Sequence, residues 1–159
     1  MVPSRFDIKL SLLNESSHKK LPLNITTIKR CIRKTLKAAG MNPGKYEVSL
    51  YFIDDEQIRR LNRQYRGHDR TTDVLSFPQF ACRAEISPGP EGYILLGDMV
   101  ISLQTLYRRC YKRRENPARA FTEYLVHSVL HLIGYDHESK RERVTMQMIE
   151  QRVIDTLSL

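Results

Sequence analysis

Apolar positions repeat along this chain with two periods, and the switches between them mark its elements. Residues 5–13 (RFDIKLSLL) mix alternation with an apolar end and predict a first strand. Asn24 then offers a helix cap, and Ile25, Ile28, Ile32 and Leu36 recur at helical spacing until Gly40 ends the helix. Its opposite face is basic, with Lys29, Arg30, Arg33, Lys34 and Lys37. A second strand is predicted over Tyr46–Ile53, where Val48, Leu50 and Phe52 point one way. Asp54 and Asp55 open a helix through about Tyr65, acids at its start matching the helix dipole, with Ile58, Leu61 and Tyr65 on its apolar side.

Residues 66–73 predict a loop, Val74–Phe77 a third strand stopped by Pro78, and residues 81–92, with two prolines and two glycines, an exposed loop. A fourth strand is predicted over Tyr93–Ser102, where Gly97-Asp98 marks a bulge or a close backbone approach. Three helices follow: a basic one over about 103–114, one opened by Asn116-Pro117 and running to Ile133, and a last one over about 139–157. The last carries a capping box, Ser139 with Glu142, and the apolar series Met146, Ile149, Val153 and Leu157. Strands come first and helices last, so the fold class is α+β. We expect one domain over residues 1–159, a small mixed sheet of about four strands packed against helices.

Composition narrows the class. The chain is 41% hydrophobic, enough for a core, and 28% charged. No apolar run approaches the roughly 20 residues that a bilayer demands. The first residues lack the apolar stretch of a signal peptide, so the expectation is a cytoplasmic protein with no membrane partner. Cys31, Cys82 and Cys110 lie far apart with no C-x-x-C pair, which suits a reducing compartment and excludes a cysteine-based zinc site. A formal net charge of +8 favours a polyanionic partner.

Chemistry concentrates in one segment. Three of the five histidines lie within eleven residues, His127-Ser-Val-Leu-His131-Leu-Ile-Gly134-Tyr-Asp-His137. One helical turn sets His127 and His131 on the same face. Gly134 can take positive φ and fold the chain back, so that His137 returns towards them. Three nitrogen ligands leave the fourth tetrahedral position to water, which is the arrangement of a catalytic zinc. The flanking residues from Tyr124 to Ile133 are apolar on nearly every side, which predicts buried imidazoles in need of a metal. The alternative is two hydrogen-bonded core histidines and a chance third. His18 and His68 sit in polar segments and are assigned no ligand role. The spacing matches the metzincin pattern, except that Ser128 stands where those peptidases carry their general-base glutamate. Serine takes no proton near neutral pH, so peptidase chemistry loses its base. A metal-bound water, its pKa lowered to about 7, can still attack a phosphodiester.

Two further segments accompany the histidines: Leu61-Asn62…Tyr65-Arg66-Gly67…Asp69…Thr72-Asp73-Val74-Leu75-Ser76-Phe77-Pro78 and Leu96-Gly97-Asp98-Met99-Val100-Ile101-Ser102. Over positions 61–137 the three together resemble the YbeY family of bacterial rRNA-processing metalloproteins. Departures are Ser128, where that family usually has glycine, and Thr71, where proline is common. The resemblance implies a single-strand-specific endoribonuclease acting in maturation of the 3′ end of 16S rRNA and in ribosome quality control. Its partners would be single-stranded RNA and the small ribosomal subunit, not DNA. It also implies one Zn2+ per chain on His127, His131 and His137, and it maps the family's functionally important arginine onto Arg66.

Arg66 lies where a helix gives way to a loop, with Arg59, Arg63 and Arg70 nearby. A guanidinium there can hold a phosphate bidentately; the alternative is a surface arginine paired with Asp69 or Asp73. Arg63, Arg66 and Arg70 are thus the candidate substrate-binding residues, with Arg66 the catalytic candidate. Asp98 and Asp136 are candidates to orient a ligand imidazole, with helix capping the other option for Asp136. Tyr107 and Tyr111, one turn apart on the basic helix, either stack bases or pack into the core. Three functions stay open: a zinc-dependent endoribonuclease, a metallopeptidase-like amide hydrolase, and a non-catalytic ribosome-assembly factor with a fold-stabilising metal.

Overall fold

In the computed structural model, which describes residues 4–157, β1 (Asp7–Asn14) pairs in parallel with β2 (Lys45–Ile53). Parallel neighbours need a crossover, and α1 (Ile25–Ala38) supplies it. Asn24 caps α1 by accepting the Thr27 N–H at 2.8 Å. β2 pairs in parallel with β4 (Tyr93–Ser102), and β3 (Val74–Pro78) runs antiparallel along the other side of β4. The sheet order is β1-β2-β4-β3, the mixed four-stranded sheet of an α+β fold. The first strand runs over 7–14, not 5–13.

Strand alternation sorts the helices onto two faces. Val48, Leu50 and Phe52 of β2, with Met99 and Ile101 of β4, face the larger core. That core is shared with α1, α3 (Leu103–Arg113), α4 (Pro117–Leu132) and α5 (Lys140–Thr156). Ile53 and Val100 are out of phase with those positions. They face a smaller cluster with Leu75 and with Ile58 of α2 (Asp55–Arg66). So α2 and α4 lie on opposite faces of the sheet. Edge strand β3 packs against α4 and follows the loop that leaves α2.

Gly97 is where the backbone comes closest. Its φ is +131°, and a Cβ there would lie 2.2 Å from the Phe77 carbonyl oxygen across the β3–β4 pair. The register between β2 and β4 also shifts at Glu47/Val48, so this strand has both the expected bulge and the close approach. Among the described residues, no helix is long and apolar enough to cross a membrane.

Candidate metal centre

Helix α4 is buried on almost every side. From Ala120 to Ile133 only Glu123, His127 and His131 escape full burial, a strip with four-residue spacing. This corrects the expectation of buried imidazoles: the flanking residues form the core, while the rings stand on the one open strip. The His127 side chain is 40% exposed. A helix apolar all round has no other face on which a polar ring avoids desolvation.

The chain then turns at Gly134, whose φ is +88° and where a Cβ would meet the Arg83 backbone nitrogen at 2.9 Å. Arg83 belongs to the segment expected to be a mere exposed loop. Its guanidinium donates to the Ala39 carbonyl at 2.8 Å and to the Tyr135 hydroxyl at 3.2 Å, pinning the turn against the end of α1. His137 returns beside the other two rings. Ring centroids lie 4.6 Å apart for His127 and His131, 5.1 Å for His131 and His137, and 5.9 Å for His127 and His137.

One nitrogen from each ring lies within 4.8 Å of the others, so the three can hold a metal ion. His127 Nε2 and His131 Nε2 are 3.0 Å apart. Two nitrogens on one tetrahedral zinc, each at about 2.0–2.1 Å, sit roughly 3.3 Å apart, so the donor set fits. Among the described residues no fourth His, Cys, Asp or Glu joins the cluster. Burial, with the charges of His127 and His137, pushes the His131 imidazole below its ordinary pKa, which keeps a lone pair free at neutral pH. His18 instead lies against the Tyr107 ring at a tilt, and His68 lies exposed in the loop after α2.

The carboxylate beside the cluster is one that sequence reasoning missed. Glu150 of α5 lies 2.7 Å from His127 Nδ1. Asp98 does not fill that role: it shares a strand face with Val100, towards α2 and away from the histidines. Asp136 accepts the His137 backbone N–H at 2.7 Å, a local turn contact, and orients no imidazole. The signal for Glu150 was its place in the last helix. It falls four residues after Met146 and three before Val153, both buried, so an acid occupies an inward position. Ile149 is only partly buried.

Ser128 is fully buried, and its hydroxyl has no hydrogen-bond partner among the described residues. It points into the core and offers no base to the open strip.

Clefts of about 320 and 430 Å³ flank His127. The first is lined by His137, Arg143, Met146 and Glu150, the second by Arg109, Tyr124 and Glu150. Arg109 donates to Asp73 at 2.8 Å and to the Tyr124 hydroxyl, linking the loop before β3 to α4 one turn ahead of His127. Burial and the Asp73 carboxylate push the Tyr124 phenol well above its usual range, so it stays neutral.

Arg63, Arg66 and Arg70 are exposed, and among the described residues they make no ion pair and no hydrogen bond to the imidazoles. Asp69 pairs with Arg59 at 2.8 Å and Asp73 with Arg109, so neither acid holds Arg66. On α3, Tyr107 is partly buried and donates to the Lys20 carbonyl, whereas Tyr111 is 87% exposed beside Lys112 and Arg114. Core packing thus accounts for the first tyrosine and not the second.

Comparison with known proteins places this geometry. The profile of a family described as Endoribonuclease YbeY matches residues 12–158. A Pelotomaculum thermopropionicum protein named endoribonuclease YbeY is 44% identical over 130 residues, 82% of this chain and 84% of its own. One of the same name from Bartonella henselae is 33% identical over 159 residues, 96% of this chain and 94% of its own. A solution structure of a Thermotoga maritima protein shares the fold, with a TM-score of 0.57 over 91% of this chain and 89% of that one, at 23% identity.

Proposed function

The chain belongs to the YbeY family of endoribonucleases, and on that premise we propose that it is a single-strand-specific, zinc-dependent endoribonuclease. Its role is maturation of the 3′ end of 16S rRNA and ribosome quality control, in the cytoplasm, on the small ribosomal subunit. The observation that carries this reading is the convergence of three imidazoles with no fourth protein ligand among the described residues.

His127, His131 and His137 would hold the ion, one per chain. When bound, it supplies Lewis acidity and makes water a nucleophile near neutral pH. The remaining work falls to the protein. Arg66, with no ion pair among the described residues, holds the phosphate bidentately and steadies the charge that develops on its oxygens, with Arg63 and Arg70 extending the contact. The basic surface of α3 holds the strand, and exposed Tyr111 gives a base a ring to stack on. Ser128, buried and aimed away from the strip, leaves an amide hydrolase without its general base.

The test is direct. Purified protein is expected to carry about one zinc per chain, to cut single-stranded RNA, and to lose that activity on chelation. RNA affinity is expected to fall steeply with salt, because phosphates dominate binding to a chain of charge +8. Peptide cleavage without RNA cleavage would favour the amide hydrolase. Metal and RNA bound with nothing cut would favour the assembly factor.

A further inference from the structure

We propose that Glu150 is a positioning residue of the metal centre. Its carboxylate fixes the His127 ring in the tautomer that offers Nε2 to a metal, and so couples the seating of α5 to metal affinity. The inference rests on the metal-binding reading above.

A carboxylate accepts and does not donate, so the 2.7 Å contact requires the proton on His127 Nδ1. In the neutral ring that leaves the lone pair on Nε2, the atom that faces His131 at 3.0 Å. Without the carboxylate, the ring can turn over or take the other tautomer, and the donor atom is lost. No Lys or Arg pairs with Glu150 among the described residues; its carboxylate contact there is with His127. Nor does the packing of α5 explain an acid at this position. Met146 and Val153 on the same face are 2% and 1% exposed and supply the apolar contact. The Glu150 side chain is 22% exposed, so the hydrogen bond is largely shielded from competing water. The two residues are 23 apart in sequence and lie on different helices, so the bond exists only when α5 is seated on α4. By linkage, a metal that needs this tautomer also favours the seated helix.

The experiment measures zinc affinity of the full chain by competition with a chromophoric chelator, and the histidine tautomers of metal-free protein by side-chain 15N NMR. Glu150→Ala is expected to bind zinc about 10–100-fold more weakly. His127 is expected to lose its pure Nδ1–H form in that variant. Zinc is expected to slow amide exchange in α5 of the wild type and much less in the variant, a difference that mere helix packing would not produce. Should Glu150→Ala fail to fold by circular dichroism, the near-isosteric Glu150→Gln carries the test, with a severalfold loss expected. A folded variant that binds zinc as tightly as the wild type overturns the proposal while leaving the nuclease reading intact. A wild type that binds no zinc overturns both.

Discussion

Helices α4 and α2 each present chemistry-bearing side chains towards their C-terminal ends, and they hold them in opposite ways. On α4 the rings of His127 and His131 occupy the only open strip of an otherwise buried helix, and a carboxylate from α5 and a pinned turn fix their surroundings. On α2, which packs on the other face of the sheet, Arg63 and Arg66 are exposed and make no ion pair among the described residues. The difference suits the ligand that the proposed function gives to each. A metal demands donors within tenths of an ångström, so they are set in place by packing before it arrives. A phosphate on a flexible strand can be met by long side chains that adapt as it arrives. The connection between the two regions runs through Arg109, which joins Asp73 to Tyr124 around the edge strand.

Substitutions can break or sharpen this contrast. The largest effect is expected for His131→Ala, with cleavage falling more than about 100-fold and zinc lost, since even an outer-shell partner is worth 10–100-fold. Single-turnover kinetics and metal analysis on the same sample check it; unchanged cleavage would expose a contaminating nuclease. Arg66→Ala is expected to lower cleavage by about 10–100-fold while zinc content stays at the wild-type level. Arg66→Lys keeps the charge but not the fork and should recover only part of the loss. If Arg66→Ala also loses metal, the two regions are not separable in the way described.

Arg109→Ala tests the link between them. It removes the partner of both Asp73 and Tyr124, and the stability measured by urea unfolding is expected to fall by about 2 kcal/mol. The smallest change is expected for Ser128→Ala, which removes an unpartnered buried hydroxyl and improves helix propensity. A gain of up to about 1 kcal/mol with cleavage unchanged is the expected outcome. A large loss of cleavage there would give Ser128 a role that its orientation denies.

Features that depend only on neighbouring residues are legible in the chain alone. Spacing of four along a helix and a glycine turn brought three imidazoles together, because 3.6 residues per turn and positive φ are local facts. The caps at Asn24 and Ser139 and the four strands were legible for the same reason. Tertiary structure decided the rest. Glu150 reaches His127, Arg83 braces the Gly134 turn, Arg109 takes Asp73, and Asp98 faces the wrong side of the sheet. Each of these depends on which helix packs on which face. That choice is made by burial of apolar surface over the whole chain, and no local period encodes it.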